Sequence, residues 1–213
     1  MDVIFGNLDL WGQAISNTLI VFFAGGIIAL ILGLIVGAMR VSPVPIARGV
    51  GTVYVNTVRN TPLTLVFFFF IFGYPQLGLP DLSNLVLGIL AIGIYTATYV
   101  AEVLRAGINT VPVGQAEAAR AIGLPFGQVM GLVILPQAFR SVVPPMMSVF
   151  IALLKNTTVA AGFSVAELAA LRSTINDSAD RPGNPMEVLL WVAVVFVALV
   201  LLLSWLQRYL ENR

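Results

Sequence analysis

The sequence predicts an all-α polytopic membrane protein, and three observations carry that prediction. Hydrophobic residues make up 59% of the 213-residue chain and charged residues only 10%, whereas a soluble domain carries about 25% charged residues. Mean hydropathy is +0.97. The apolar residues also gather into five runs of roughly the 20 residues needed to cross about 30 Å of hydrocarbon. The whole chain, residues 1–213, therefore reads as a single transmembrane domain. Net charge is +1, so no long-range field invites nucleic acid. Cysteine and histidine are absent, which removes disulfides, thiol chemistry and nearly all transition-metal sites.

The first run is expected at about 15–39. Ahead of it lie Asp2 and Asp9 and no basic residue, whereas a cleavable signal peptide begins with a basic segment. The run is therefore expected to stay as a transmembrane helix. Its Gly33 and Gly37 form a G-x3-G pair, a spacing that permits close helix packing. The second run, about 62–79, opens with Arg59-Asn60-Thr61-Pro62. Thr61 reads as an N-cap and Pro62 as the first helical residue. Free backbone N–H groups and the positive helix end would then face Arg59, an arrangement that suits a carboxylate. Arg59 reads equally well as a flanking residue that snorkels to the interface. Phe67 to Phe70 occupy every side of this helix, so some of them must face lipid.

The third run, about 84–106, carries Glu102 and Arg105 near its end, spaced for a local i,i+3 ion pair. Between this run and the fourth lies a polar insert, about 108–137, containing GQAEAARAIGLPFGQVMGLVILPQ. Alanine-rich residues 114–122 favour a short helix, with Glu117 placed i,i+3 from Arg120. Gly123 and Pro125 stop that helix. A second, apolar segment runs from Phe126 to Leu135 and is expected to close at Pro136. The insert reads either as a helix pair resting on the membrane surface or as a docking site for a soluble partner.

The fourth run, about 143–163, holds the chain's one lysine. Counted from Pro145, Lys155 lies about 15 Å deep, where a charge costs roughly 2.5–3.5 kcal/mol. Asn156, Thr157 and Thr158 follow it as a polar patch. Lys155 either meets a substrate carboxylate or serves structurally, paired with Glu167 or a backbone carbonyl. The fifth run, about 186–207, has Trp191 and Trp205 near its ends as interfacial anchors, a role that also suits Trp11 before the first run.

Five crossings put the termini on opposite sides. With the N-terminus outside, Arg40, Arg48, Arg59, Arg105, Arg120, Arg140, Arg208 and Arg213 fall inside and only Arg172 and Arg181 outside, as the positive-inside rule requires. The polar insert is then cytoplasmic. No repeat of 20–50 residues is visible, so symmetry about a transport path calls for a second subunit.

The insert spells Glu117-Ala118-Ala119, three residues, Gly123, nine residues, then Val133-x-Leu135-Pro136. This resembles the EAA loop of ABC importer permeases, with Val133 as the one departure from the usual isoleucine. RNTPLTLVFFFFIFG, YVAEVLRAGINTVPVGQAEAARAIGL and IALLKNTTVA are similar to the polar-amino-acid (histidine/glutamate-type) branch, and most similar to its glutamate permease subunits of actinobacterial type. The resemblance covers most of residues 40–165. It implies a type I ABC importer transmembrane fold. Its coupling helix, with Glu117, Ala118, Ala119, Arg120 and Gly123, would dock an ATPase, while Arg59, Asn60, Thr61 and Lys155 to Thr158 are the candidate substrate path. It also implies two cytoplasmic ABC ATPases, a second permease (a sister chain or a copy) and an extracellular or periplasmic substrate-binding protein in a bacterial cell membrane. The chain has no glycine-lysine sequence for a phosphate loop, so ATP and Mg belong to the ATPase. No cofactor is expected on this chain, and it is not expected to be an enzyme. A stand-alone secondary transporter or channel, and a non-transporting scaffold, are the alternatives.

Overall fold

The computed structural model describes residues 6–176 and 185–211; Asp2, Asp177, Asp180, Arg181 and Arg213 lie outside the described residues. Every regular element is helical among the described residues. Helix α1 (Leu8–Val41) and helix α4 (Asn84–Asn109) form the central pair. They pack in parallel through the small residues of α1. A Cβ built on Gly25 would stand 2.7 Å from Ile92 Cγ2, on Gly33 2.5 Å from Val100 Cβ, and on Gly37 3.0 Å from Leu104 Cδ1. The three contacts step forward together along both helices. The missing Cβ atoms let the backbones approach, and without water as a driving force between apolar helices that approach supplies the attraction. The G-x3-G pair is thus part of a longer packing stripe. Helix α1 begins a full two turns before the expected residue 15, because Trp11 and Ala14 bury against the opposite end of the chain.

Helix α2 (Pro45–Arg59) crosses this pair. Gly51 rests on Val36 and Arg40, Val55 is buried against Val36 and Ala101, and the Tyr54 hydroxyl donates to the Ile94 carbonyl at 2.6 Å. The chain then bends by 99° into helix α3 (Leu63–Phe68). A wide turn at Phe69–Gly73 and a tight one at Tyr74–Leu77 follow. The expected span at 62–79 is therefore the second limb of a bent pair. Its 15 helical residues, Leu63 to Leu77, rise only about 22 Å, too short to cross hydrocarbon alone. Among the described residues four helices are long and apolar enough to cross a membrane, and a fifth crossing is made if the bent pair counts as one.

Helix α5 (Val113–Ala121) is the short polar helix of the insert. Beyond it a continuous helical rod runs from Phe126 to Phe163, with helix α6 (Leu135–Asn156) as its regular part. Pro136 does not close the preceding segment, and Pro144 and Pro145 lie within α6. A proline ring collides with the carbonyl four residues back in a regular helix. For Pro136 that carbonyl, on Leu132, sits in a widened turn at Val129–Ile134, which makes room for the ring. Lys155 is consequently at the far end of a long rod rather than ten residues into a new one. At Thr157–Phe163 the rod tightens, and Phe163 stacks on Phe67 with centroids 5.2 Å apart and meets Phe68 edge-on at 5.1 Å.

After Ser164, in left-handed backbone at φ 59, the chain folds onto α1. Helices α7 (Leu171–Asn176) and α8 (Pro185–Glu211) follow. Leu168, Leu171, Ile175, Val188 and Val192 form a second core around Trp11, which is buried. Trp11 is thus a core residue and not the interfacial anchor expected of it. Trp205 is well exposed. The outward sides of α1 and α8 are lined by exposed apolar residues such as Phe23, Ile27, Ile31, Val197 and Leu201. In water such a surface would aggregate; in hydrocarbon it is in its proper solvent.

Candidate functional site

Two polar features stand out on this apolar body. The first is α5. Pro112 takes the N-cap position. Gly123, at φ 88, supplies the left-handed residue that ends the helix. Its N–H donates to Arg120 O at 2.9 Å and Leu124 N–H to Ala119 O at 3.2 Å. That is the pair of bonds of a Schellman motif, which satisfies carbonyls otherwise left open. Ala119 is buried with Val129 and Ile134, and Ala116 and Leu124 pack around them. Glu117, Ala118 and Arg120 point outward, flanked by Val113 and Ile122 at 71% and 79% exposure. No ion pair joins Glu117 to Arg120 among the described residues. The insert is thus a capped knob, seated by alanines and presenting a mixed charged and apolar face.

The second feature is a groove of about 430 Å³ between α4 and α6, lined by Tyr95, Thr96, Tyr99, Ser148 and Asn156 over a floor of Val149, Ala152 and Leu153. Tyr95 lies 11 residues into α4, about 16 Å along it, near the middle of a 30 Å layer. The Tyr95 and Tyr99 hydroxyls are 2.9 Å apart. Thr96 lines the groove, and its hydroxyl is buried with no hydrogen-bond partner among the described residues. A larger cleft of about 520 Å³ lies between α1, α4 and α6, but its lining, including Leu34, Leu104, Phe139 and Met146, is wholly apolar. Of these two, the smaller groove offers hydrogen bonds to a polar solute.

On the same face of α4, two turns beyond Tyr95, stands Glu102. It meets Arg40 of α1, Arg59 at the end of α2, and Arg105 of its own helix. Arg105 forks onto Oε2 through Nε at 3.2 Å and Nη2 at 2.9 Å. Arg59 Nη1 is 3.5 Å from Oε1. The expected local pair of Glu102 and Arg105 is therefore one side of a cluster joining three helices.

The other sequence-predicted residues divide. Asn156 lines the groove. Lys155, one residue away, is exposed, does not line it, and forms no ion pair among the described residues. Its suggested partner Glu167 is bonded elsewhere. Thr157 is fully buried, and the Thr157 and Thr158 hydroxyls donate to Leu154 and Lys155 carbonyls at 2.8 Å, so they close the tightened helix end. Thr61 does not cap α3: its hydroxyl donates back to Thr57 O at 2.9 Å, and Pro62 holds the N-cap position. The hydroxyl is claimed by the preceding helix because the bend keeps Thr61 within that helix's last turn. Asn60 is the exposed C-cap of α2. Tyr95, Tyr99 and Ser148 were missed by sequence reasoning. Tyr95, Tyr99 and Glu102, at i, i+4 and i+7 in an apolar helix, were the available signal.

Glu167 lies beyond the rod, fully buried. Its Oε1 accepts from Ala169 N–H at 2.8 Å, and no cation pairs with it among the described residues. Burial pushes its carboxyl up to about 7.

Comparison with known proteins places the chain in a family. Residues 29–213 match the family described as binding-protein-dependent transport system inner membrane component. The glutamate transport system permease protein GluC of Corynebacterium efficiens is 49% identical over 164 residues, 71% of this chain and 72% of that protein. The probable glutamine ABC transporter permease protein GlnM of Bacillus subtilis is 33% identical over 100% of this chain and 97% of its own length. A crystal structure of an amino acid ABC transporter with histidines superposes with a TM-score of 0.89 at 28% identity, covering 99% of this chain and 96% of the other.

Proposed function

The chain belongs to the family of binding-protein-dependent transport system inner membrane components, and from that premise we propose that it carries glutamate as the permease subunit of an ATP-driven amino-acid importer. Membership implies an ATPase and a substrate-binding protein as partners. In our reading two ATPase copies grip the cytoplasmic side, a second permease, sister or identical, completes the path, and the binding protein delivers solute from outside. The N-terminus is outside and the C-terminus in the cytoplasm of a bacterial cell membrane. ATP and Mg are held by the ATPase, and this chain catalyses no reaction.

The observation that carries the reading is α5, a polar helix closed at its C-terminal end by a Schellman motif and held by its alanines on an otherwise lipid-loving body. Burying Ala119 while leaving Glu117, Ala118 and Arg120 free suits a part that fits another protein's cleft. Gly123 fixes where the helix stops, so force on α5 passes into the rod and on to the groove at Asn156. There Tyr95, Tyr99, Ser148 and Asn156 offer donors and acceptors to a zwitterion, and Arg59 stands further along the same path. Lys155 acts on that path through its charge alone, and Thr157 and Thr158 support the helix end behind Asn156.

The test is reconstitution. Co-expressed with its ATPase, binding protein and partner permease in proteoliposomes, the chain should support glutamate uptake that needs ATP. Glutamate movement by the purified chain alone, driven by an ion gradient, would overturn the proposal.

A further inference from the structure

Charge does not balance at the end of the polar stripe. Three guanidinium groups, from Arg40, Arg59 and Arg105, surround the single carboxylate of Glu102, leaving two positive charges in excess. No other carboxylate pairs with them among the described residues. A clasp between helices needs only one arginine, so the cluster keeps cationic capacity beyond what Glu102 uses. The three are also held unequally. The Arg40 side chain is 9% exposed and its Nε is buried without a partner among the described residues. Arg59 and Arg105 are 40% and 39% exposed. Arg105 grips Glu102 with two hydrogen bonds, whereas Arg59 has one long contact.

We propose that Arg59, backed by Arg40 and Arg105, is a second station for the carboxylate of the transported amino acid, and that Glu102 occupies it between transport events. Glu102 lies about 10 Å beyond Tyr95 along α4, on the same face, so a solute leaving the groove meets the cluster next. A carboxylate arriving there takes Arg59 from Glu102, because Arg59 holds it by a single long contact and is 40% exposed, and a guanidinium binds a free carboxylate in a two-pronged fork. Arg40 and Arg105 keep Glu102 in place meanwhile. When Glu102 returns to Arg59, the solute is expelled, and the internal acid prevents a net +3 site from trapping its cargo. Arg59 is the last residue of α2 before the 99° bend; its release from α4 frees the bend to swing. The inference rests on the groove being the substrate path.

The experiment uses the whole transporter in nanodiscs and proteoliposomes, with radiolabelled L-glutamate. Glu102→Gln should raise glutamate retained on the permease without turnover by about tenfold, the worth of one charge-assisted hydrogen bond, while slowing uptake. Adding Arg59→Gln should abolish that gain. The diamide of glutamate, which has no carboxylate, should show no gain at all. Unchanged or weaker retention in an intact Glu102→Gln complex overturns the station, as does an equal gain for the diamide. If Glu102→Gln fails to assemble, Arg59→Lys serves instead: it keeps the charge but loses the fork, and should raise KM for uptake in a normally assembled complex. An unchanged KM there overturns the station. The two readings fail separately. Normal uptake in Tyr99→Phe and Asn156→Ala refutes the path, whereas impaired uptake in those variants with no effect at Glu102 refutes the station alone.

Discussion

Thr18 of α1 and Glu167, 149 residues later, share a fully buried contact, with Oγ1 3.5 Å from Oε2. The same hydroxyl lies 2.9 Å from Ala14 O and accepts from Leu168 N–H at 3.0 Å. A hydroxyl has one proton, and the shorter bond to Ala14 takes it. The contact with Glu167 is then a hydrogen bond only if the acid is protonated and donates, which agrees with a carboxyl held near 7 by burial. Asn17 Nδ2 adds a bond to Ala166 O at 2.7 Å, so this seam ties the segment after the rod onto α1.

A pH dependence follows from that seam. The folded chain keeps the Glu167 proton up to about 7, while the unfolded chain loses it near 4.5. Between those values the folded state binds more protons, so stability falls as pH rises and levels off above about 7. The full effect is on the order of 3 kcal/mol. Glu167→Gln, which cannot ionise, should flatten this slope. Thermal melts of the purified complex at pH 5 and pH 8 check it; an unchanged slope in the variant would assign the dependence to another group.

Gly33→Ala should break the central pair. Its new Cβ would stand 2.5 Å from Val100 Cβ and 2.9 Å from Ala97 O, and backbone cannot move aside cheaply. Overpacking of this kind costs about 1–3 kcal/mol. Gly114→Ala meets nothing within 4 Å and serves as the tolerated control. Folded yield and melting temperature distinguish the two.

Gly123→Ala should weaken coupling without unfolding the membrane body. Alanine at φ 88 costs roughly 1–2 kcal/mol, paid by the last turn of α5 and its Schellman bonds. Membrane insertion should be normal, with reduced ATPase co-purification and substrate-stimulated ATP hydrolysis. Equal coupling in the variant would free Gly123 of the role.

Asn156→Ala should lower the initial rate of glutamate uptake more than Lys155→Ala does. Asn156 lines the groove, whereas Lys155 does not and can act there only through a field. Rates at several glutamate concentrations decide the order, and a larger loss at Lys155 would move the path to its side of α6.

Much of this was legible in the residues because it is decided locally. Apolar run length announces the long helices, and the Ala-rich stretch ending at Gly123 announces α5, since propensity and a glycine stop act within a few residues. Proline positions misled. Pro136 and Pro145 look like helix boundaries, yet the rod passes through them, since a widened turn at Val129–Ile134 absorbs the first. Likewise Thr61 is a good cap by type but spends its hydroxyl on Thr57, a choice set by the bend.

By itself the sequence determined that the chain lives in lipid, where its helices lie, and that a polar helix interrupts them. Hydropathy, propensity and spacing are sums over near neighbours, so they survive without knowing the fold. Only the tertiary structure decided that Glu102 meets arginines from three helices, that Glu167 answers to Thr18 rather than Lys155, and that Tyr95, Tyr99, Ser148 and Asn156 share one groove. Those facts depend on which helix faces are pressed together across dozens of residues, and helix packing is fixed by shape and by missing Cβ atoms at Gly25, Gly33 and Gly37, which composition does not record.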